Sequence, residues 1–175
     1  EEEVYQILTK KGRNSFAFMW EEYDATTLWE VLPLNDNYDQ GVYKRRSHNH
    51  PMQAGFDAWF YSGIAGINPV KDSPGFRKIV FKPYLTQQLN SAEASYESVY
   101  GAVHSSWKTD ENSFTWEIKI PANSSGDIYV PVYGKEMEIT VNDKKVELGE
   151  VEGDFVLIGN YKSGDYYIKC LSINN

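Results

Sequence analysis

One feature constrains the fold of this chain more than any other: near residue 76 the spacing of apolar residues changes from helical to alternating. From Phe76 onward, short runs with every second residue apolar are separated by polar turns. The runs are 77–83, 92–100, 101–109, 113–121, 128–132, 137–141, 155–158 and 164–172. Two turn sequences stand out, Asp110-Glu111-Asn112 and Asn123-Ser124-Ser125-Gly126-Asp127. Strand-length runs at such even spacing predict an antiparallel β-sandwich. Its inward positions would include Trp107, Phe114, Trp116, Ile118 and Ile120.

The first 75 residues obey another rule. Val4, Ile7 and Leu8 recur at i, i+3 and i+4, so residues 1–11 are expected as a helix with an acidic start and a basic end. Residues 16–22 are aromatic and fit either a strand or a short helix. Thr26 or Thr27 is placed to cap a helix starting near Leu28, which Pro33 would keep short. Residues 34–46 have no period and read as a loop, and the basic Lys44-Arg45-Arg46 cluster in it fits a solvated face or, as the alternative, an anion or sugar contact. Residues 51–67 then predict a helix, with Met52, Phe56, Trp59, Phe60, Ile64 and Ile67 along one wide face. Gly55, Gly63 and Gly66 each weaken such a helix by up to about 1 kcal/mol relative to alanine, which argues for close approach to another helix. Asp72-Ser73-Pro74-Gly75 is the linker, so the expected domains are 1–75 and 76–175.

Charge and composition narrow the function. At 175 residues and a net charge of −8, the chain would repel nucleic-acid phosphates, so no nucleic-acid partner is expected. No run is long enough to insert in a membrane as a helix. The single Cys170 excludes an internal disulfide and a cysteine-based zinc site. An opening of Glu1-Glu2-Glu3 without methionine leads us to expect a piece of a longer protein. Aromatics make up 15% of the residues, a surplus that serves either β-structure or a sugar-stacking surface.

Chemistry concentrates between Ala25 and Asn68. Glu30 follows Trp29, and a carboxylate beside a bulky indole loses part of its hydration, which suits it to proton transfer. His48 and His50 flank Asn49. Their spacing would let both reach a metal on an extended segment, but no third ligand lies nearby, so no metal is expected. A histidine contacting a polar ligand is the other reading. Trp29 and Trp59 are flat walls for a pocket, Trp59 equally a core residue.

These residues carry a resemblance. Ala25-Thr26-Thr27-Leu28-Trp29-Glu30, Ser47-His48-Asn49-His50 and the run Gly55-Phe56-Asp57-Ala58-Trp59-Phe60-Tyr61-Ser62-Gly63 resemble the C-terminal part of bacterial α-L-rhamnosidases of glycoside hydrolase family 78. Pro74-Gly75-Phe76, Ile79-Val80-Phe81-Lys82-Pro83, Ala94-Ser95-Tyr96-Glu97-Ser98-Val99-Tyr100-Gly101 and Trp116-Glu117-Ile118-Lys119-Ile120-Pro121 extend it. The resemblance implies an α+β fragment: the closing helices of an (α/α)6 barrel followed by an antiparallel β-sandwich. It implies an inverting hydrolase of terminal α-L-rhamnosides, acting on a rhamnose-containing oligosaccharide or glycoside without cofactor or metal. Glu30 falls on the general base, and His50, with His48, on the sugar-contacting histidine, while the general acid lies upstream. Two departures stand out: Asp24, where the family usually has glycine, and Val31-Leu32-Pro33 in place of a polar-aromatic continuation. The fragment alone should be inactive, and apolar surface left bare by a missing barrel should favour oligomers. The rival reading is a non-catalytic carbohydrate-binding sandwich with Trp107, Trp116 and Tyr129 as an exposed platform.

Overall fold

A computed structural model describes residues 2–13, 15–32, 46–149 and 151–173. Two compact units divide the chain, Glu1–Ala58 and Trp59–Asn175, and each is described by itself.

The first unit opens with α1 (Glu2–Thr9) and α2 (Phe16–Tyr23). Ser15 caps α2, its Oγ accepting from the Phe18 amide, and Asp24 ends it at φ 48°, ψ 36°. A small core gathers beneath α2, with Met19 and Trp29 buried and Phe16, Tyr23, Leu28 and Leu32 packed against them. The helix expected near Leu28 does not form: residues 26–32 are bends and extended chain. Instead of stacking into a helical turn, the backbone of this stretch pairs with residues 47–50. The Glu30 amide donates to the Ser47 carbonyl at 2.9 Å, and the His50 amide to the Leu28 carbonyl at 2.7 Å. Most of the loop expected over 34–46 lies outside the described residues.

The helix expected over 51–67 is also broken. Pro51–Phe56 is a 3-10 turn and Phe60–Ile64 a single π-turn, closed by the Ala65 amide donating to the Phe60 carbonyl. The reason is tertiary. The Ile64 carbonyl accepts the Trp107 indole N–H at 2.8 Å, and the Ala65 carbonyl accepts the Ser105 hydroxyl at 2.6 Å. Carbonyls that would extend an α-helix are thus already taken. Gly66 then turns the chain at φ 73°, where a β-carbon would lie 2.3 Å from the Pro83 nitrogen.

Nine strands form the second unit's sheet among the described residues: β1 (Ile67–Pro69), β2 (Lys78–Phe81), β3 (Ser91–Ser98), β4 (Gly101–Thr109), β5 (Ser113–Pro131), β6 (Met137–Val141), β7 (Lys144–Lys145), β8 (Val151–Glu152) and β9 (Phe155–Ser172). The principal order is β1-β2-β5-β9-β6-β7, with β4 and β3 continuing from β5 and β8 paired to β9. Two expected turns disappear into long strands. The Asn123–Asp127 stretch is a bulge within β5, with Asn123 at φ 61° and a register jump between Ile120 and Ser125. Likewise the two runs 155–158 and 164–172 are one strand, β9. These strands stay continuous because they pair with each other along almost their full lengths. The antiparallel expectation fails at one place: β2 runs parallel to the second half of β5. The chain leaves β2 and builds β3, β4 and the first half of β5 before returning beside it, a crossover that a parallel pair requires.

Alternation along the strands sorts the residues as expected. Val103, Ser105 and Trp107 on β4, and Phe114, Trp116, Ile118 and Ile120 on β5, all point into the core. Phe81 of β2 meets Trp116 edge-on at 6.3 Å, so the end of the sheet carrying β1 and β2 folds over β4 and the first half of β5. Gly126 lets Phe81 in, since a β-carbon there would lie 2.8 Å from its ring. Three polar groups of this core are joined in a chain. The Trp116 indole donates to Ser105 Oγ at 2.8 Å, and the Ser105 hydroxyl in turn donates to the Ala65 carbonyl.

Candidate functional site

The first unit brings Glu30, Trp29, His48 and His50 onto two adjacent strips of chain. Trp29 is anchored from below: only 7% exposed, it packs on Met19 and meets the Tyr23 ring edge-on at 5.7 Å. Its other face carries His48, with ring centroids 4.2 Å apart and planes 12° from parallel. A flat imidazole on a buried indole is thereby fixed in orientation. The Thr27 hydroxyl donates to the His48 carbonyl, locking the strip from the backbone side.

Glu30 is held at both oxygens. Oε2 accepts the Ser47 amide at 3.1 Å, and Oε1 faces Arg46 Nη1 at 3.4 Å. Its side chain stays 31% exposed. A carboxylate aimed by two donors yet open to water is placed to take a proton from a water molecule without rearranging. Ser47 in turn accepts the Asn49 amide and donates to the Asn49 carbonyl, so a tight turn presents His48 outward. Among the described residues no three His, Cys, Asp or Glu side chains converge as metal ligands.

Comparison with known proteins now bears on the whole chain. Residues 66–146 match the family described as the bacterial α-L-rhamnosidase C-terminal domain. An α-L-rhamnosidase of Alteromonas sp. (strain LOR) is 31% identical over 134 residues, 74% of this chain and 14% of the relative. One from Formosa agariphila is 27% identical over 185 residues, covering 94% and 19%. Among solved structures, the α-L-rhamnosidase from Dictyoglumus thermophilum superposes over 98% of this chain and 19% of its own, with 34% identity and a TM-score of 0.85. The chain carries the C-terminal domain of the bacterial α-L-rhamnosidases. It spans 14% to 19% of the length of these curated relatives.

For a chain bearing a rhamnosidase C-terminal domain, the placement of each residue singled out in the sequence is informative. Trp29, Glu30, His48 and His50 come together in the first unit, with His50 joined through its backbone to Leu28. Trp59 belongs to the second unit, half-buried, its indole lying over the α-carbon of Gly63. Asp24 resolves one departure from the rhamnosidase pattern. It occupies left-handed backbone, the conformation for which glycine is the usual choice and aspartate one of the tolerated substitutes. Trp107 and Trp116 are fully buried, so they form no exposed sugar platform. Arg46 is the contact that reading the sequence missed. Its signal in the sequence is a place in a basic cluster immediately ahead of the histidines.

Proposed function

We propose that the full-length protein is an inverting glycoside hydrolase that cleaves terminal α-L-rhamnosides, with Glu30 as its general base. The observation that carries this reading is the geometry of Glu30, held by the Ser47 amide and Arg46 beside the Trp29–His48 stack. Relatives at 31% and 34% identity that bear the name α-L-rhamnosidase support the substrate class. On this reading residues 1–75 close an (α/α)6 catalytic barrel and residues 76–175 are its C-terminal β-sandwich.

In the reaction, Glu30 takes a proton from a water molecule. The water oxygen attacks the anomeric carbon as the glycosidic bond breaks, and a carboxylic acid elsewhere in the parent protonates the leaving oxygen. Inversion needs the two carboxyls about 6.5–9.5 Å apart, leaving room for that water. His50 and His48 hydrogen-bond sugar hydroxyls, and Trp29 and Trp59 supply apolar walls. No metal or organic cofactor has a step to perform, because the two carboxyls carry the protons.

The test is the full-length protein with Glu30→Gln, assayed on an aryl α-L-rhamnoside. Turnover should fall by about 10²–10⁴-fold with the fold unchanged, the usual contribution of a general base. Turnover within about threefold of wild type would remove Glu30 from the chemistry.

A further inference from the structure

A second polar recess lies on the β-sheet, in a part of the fold that the reading above does not use. β2, β5 and β9 run side by side there, and their register puts Lys78, Ser125 and Lys162 in one row. All three side chains share a face, the two lysines one strand apart on either side of the serine. Arg77 precedes Lys78, and its carbonyl accepts the Ser125 amide at 3.0 Å, which pins the arginine backbone to the bulged strand. The bulge at Asn123, with its φ of 61°, and Ser163 complete a concavity of about 310 Å³.

Three cations therefore surround one recess on a chain whose net charge is −8. Among the described residues none of the three forms an ion pair, and no carboxylate lines the recess. Asp127, two residues along β5 from Ser125, accepts from Asn160 Nδ2 at 2.7 Å. Ser124, another lining residue, is only 6% exposed, and its hydroxyl has no hydrogen-bond partner among the described residues. Alternation puts Ser124 on the buried side of β5, behind the row that Ser125 shares with the two lysines.

We propose that this recess binds a tetrahedral oxyanion, either free in solution or carried as a sulfate ester on a saccharide. Lys78, Lys162 and Arg77 supply the positive field, and Ser125 supplies a hydroxyl donor from the same row. An oxyanion presents several separated acceptor oxygens for charge-assisted hydrogen bonds, a geometry that a single spherical chloride does not match. The proposal stands independently of Glu30 and of the rhamnoside reading.

The experiment is an amide NMR titration of the full chain with sodium sulfate, against sodium chloride at equal ionic strength. Sulfate should produce saturable shifts centred on Lys78, Ser125 and Lys162 that chloride does not. The Lys78→Gln/Lys162→Gln double variant exchanges exposed side chains and should keep the native spectrum, while losing sulfate affinity on the order of tenfold or more. A parallel titration with a sulfated monosaccharide separates the two sources. Tighter binding than inorganic sulfate places the anion on a sugar, and equal binding assigns the free ion. Identical shifts with chloride, or unchanged sulfate affinity in the double variant, would overturn the site.

Discussion

Asp24 shows how one residue can depart from a pattern while the backbone keeps it. Its φ of 48° ends α2 and aims the chain into the Ala25-Thr26-Thr27 stretch that leads to Glu30. Aspartate tolerates this region, whereas a β-branched side chain does not. Asp24→Val should cost about 1–2 kcal/mol in thermal unfolding, with Asp24→Gly at or above wild-type stability. Ser105 is equally exposed to test. It is the acceptor for the buried Trp116 indole, so Ser105→Ala leaves that N–H unpaired and should cost about 1–3 kcal/mol in denaturant unfolding. At this scale the sequence was partly legible. Alternation put Trp116 on one face with Phe114, Ile118 and Ile120, and full burial of Trp107 and Trp116 decides for the core over the exposed platform. The Ser105 and Trp107 contacts to the Ala65 and Ile64 carbonyls were not legible, since 40 and 43 residues separate the partners. The Arg46–Glu30 contact was hidden for the same reason, across 16 residues.

Among elements, β5 and β9 decide the shape of the sheet. The Asn123–Asp127 stretch has the composition of a turn, and local propensity cannot distinguish a turn from a bulge. Pairing with β9 on one side and β2 on the other decides it, and neither partner is local. The same logic broke the helix expected over 51–67, where side chains of β4 outcompeted the next helical turn. Gly126 is the element's tightest point. Gly126→Val would drive a branched side chain into Phe81 and should destabilise the domain by about 1–3 kcal/mol, read from the shift in unfolding midpoint at constant slope.

For the whole molecule, Cys170 serves as a built-in report of opening. It is fully buried on β9, and burial pushes its thiol up to about 12 from an ordinary 9.0. The raised value means the folded state prefers the protonated form. That contribution to stability is intact below pH 9 and is lost as pH climbs from about 9 towards about 12. At pH 8 the thiolate fraction of the folded protein is on the order of 10⁻⁴, so alkylation should be slow in buffer and rapid once denaturant unfolds the sheet. Rapid labelling of the native protein would show that β9 is not closed. The continuity of β5 and β9 has one more consequence, for anyone who would re-engineer the gene. Between them these two strands pair with β2, β4, β6 and β8, so the middle of the sheet has no internal seam. New chain ends should be accepted at the Asp110–Asn112 or Asn142–Asp143 hairpins. At Asn123–Ser124, whose surface composition looks just as permissive, a circular permutation would cut a strand that both halves share and yield no folded protein.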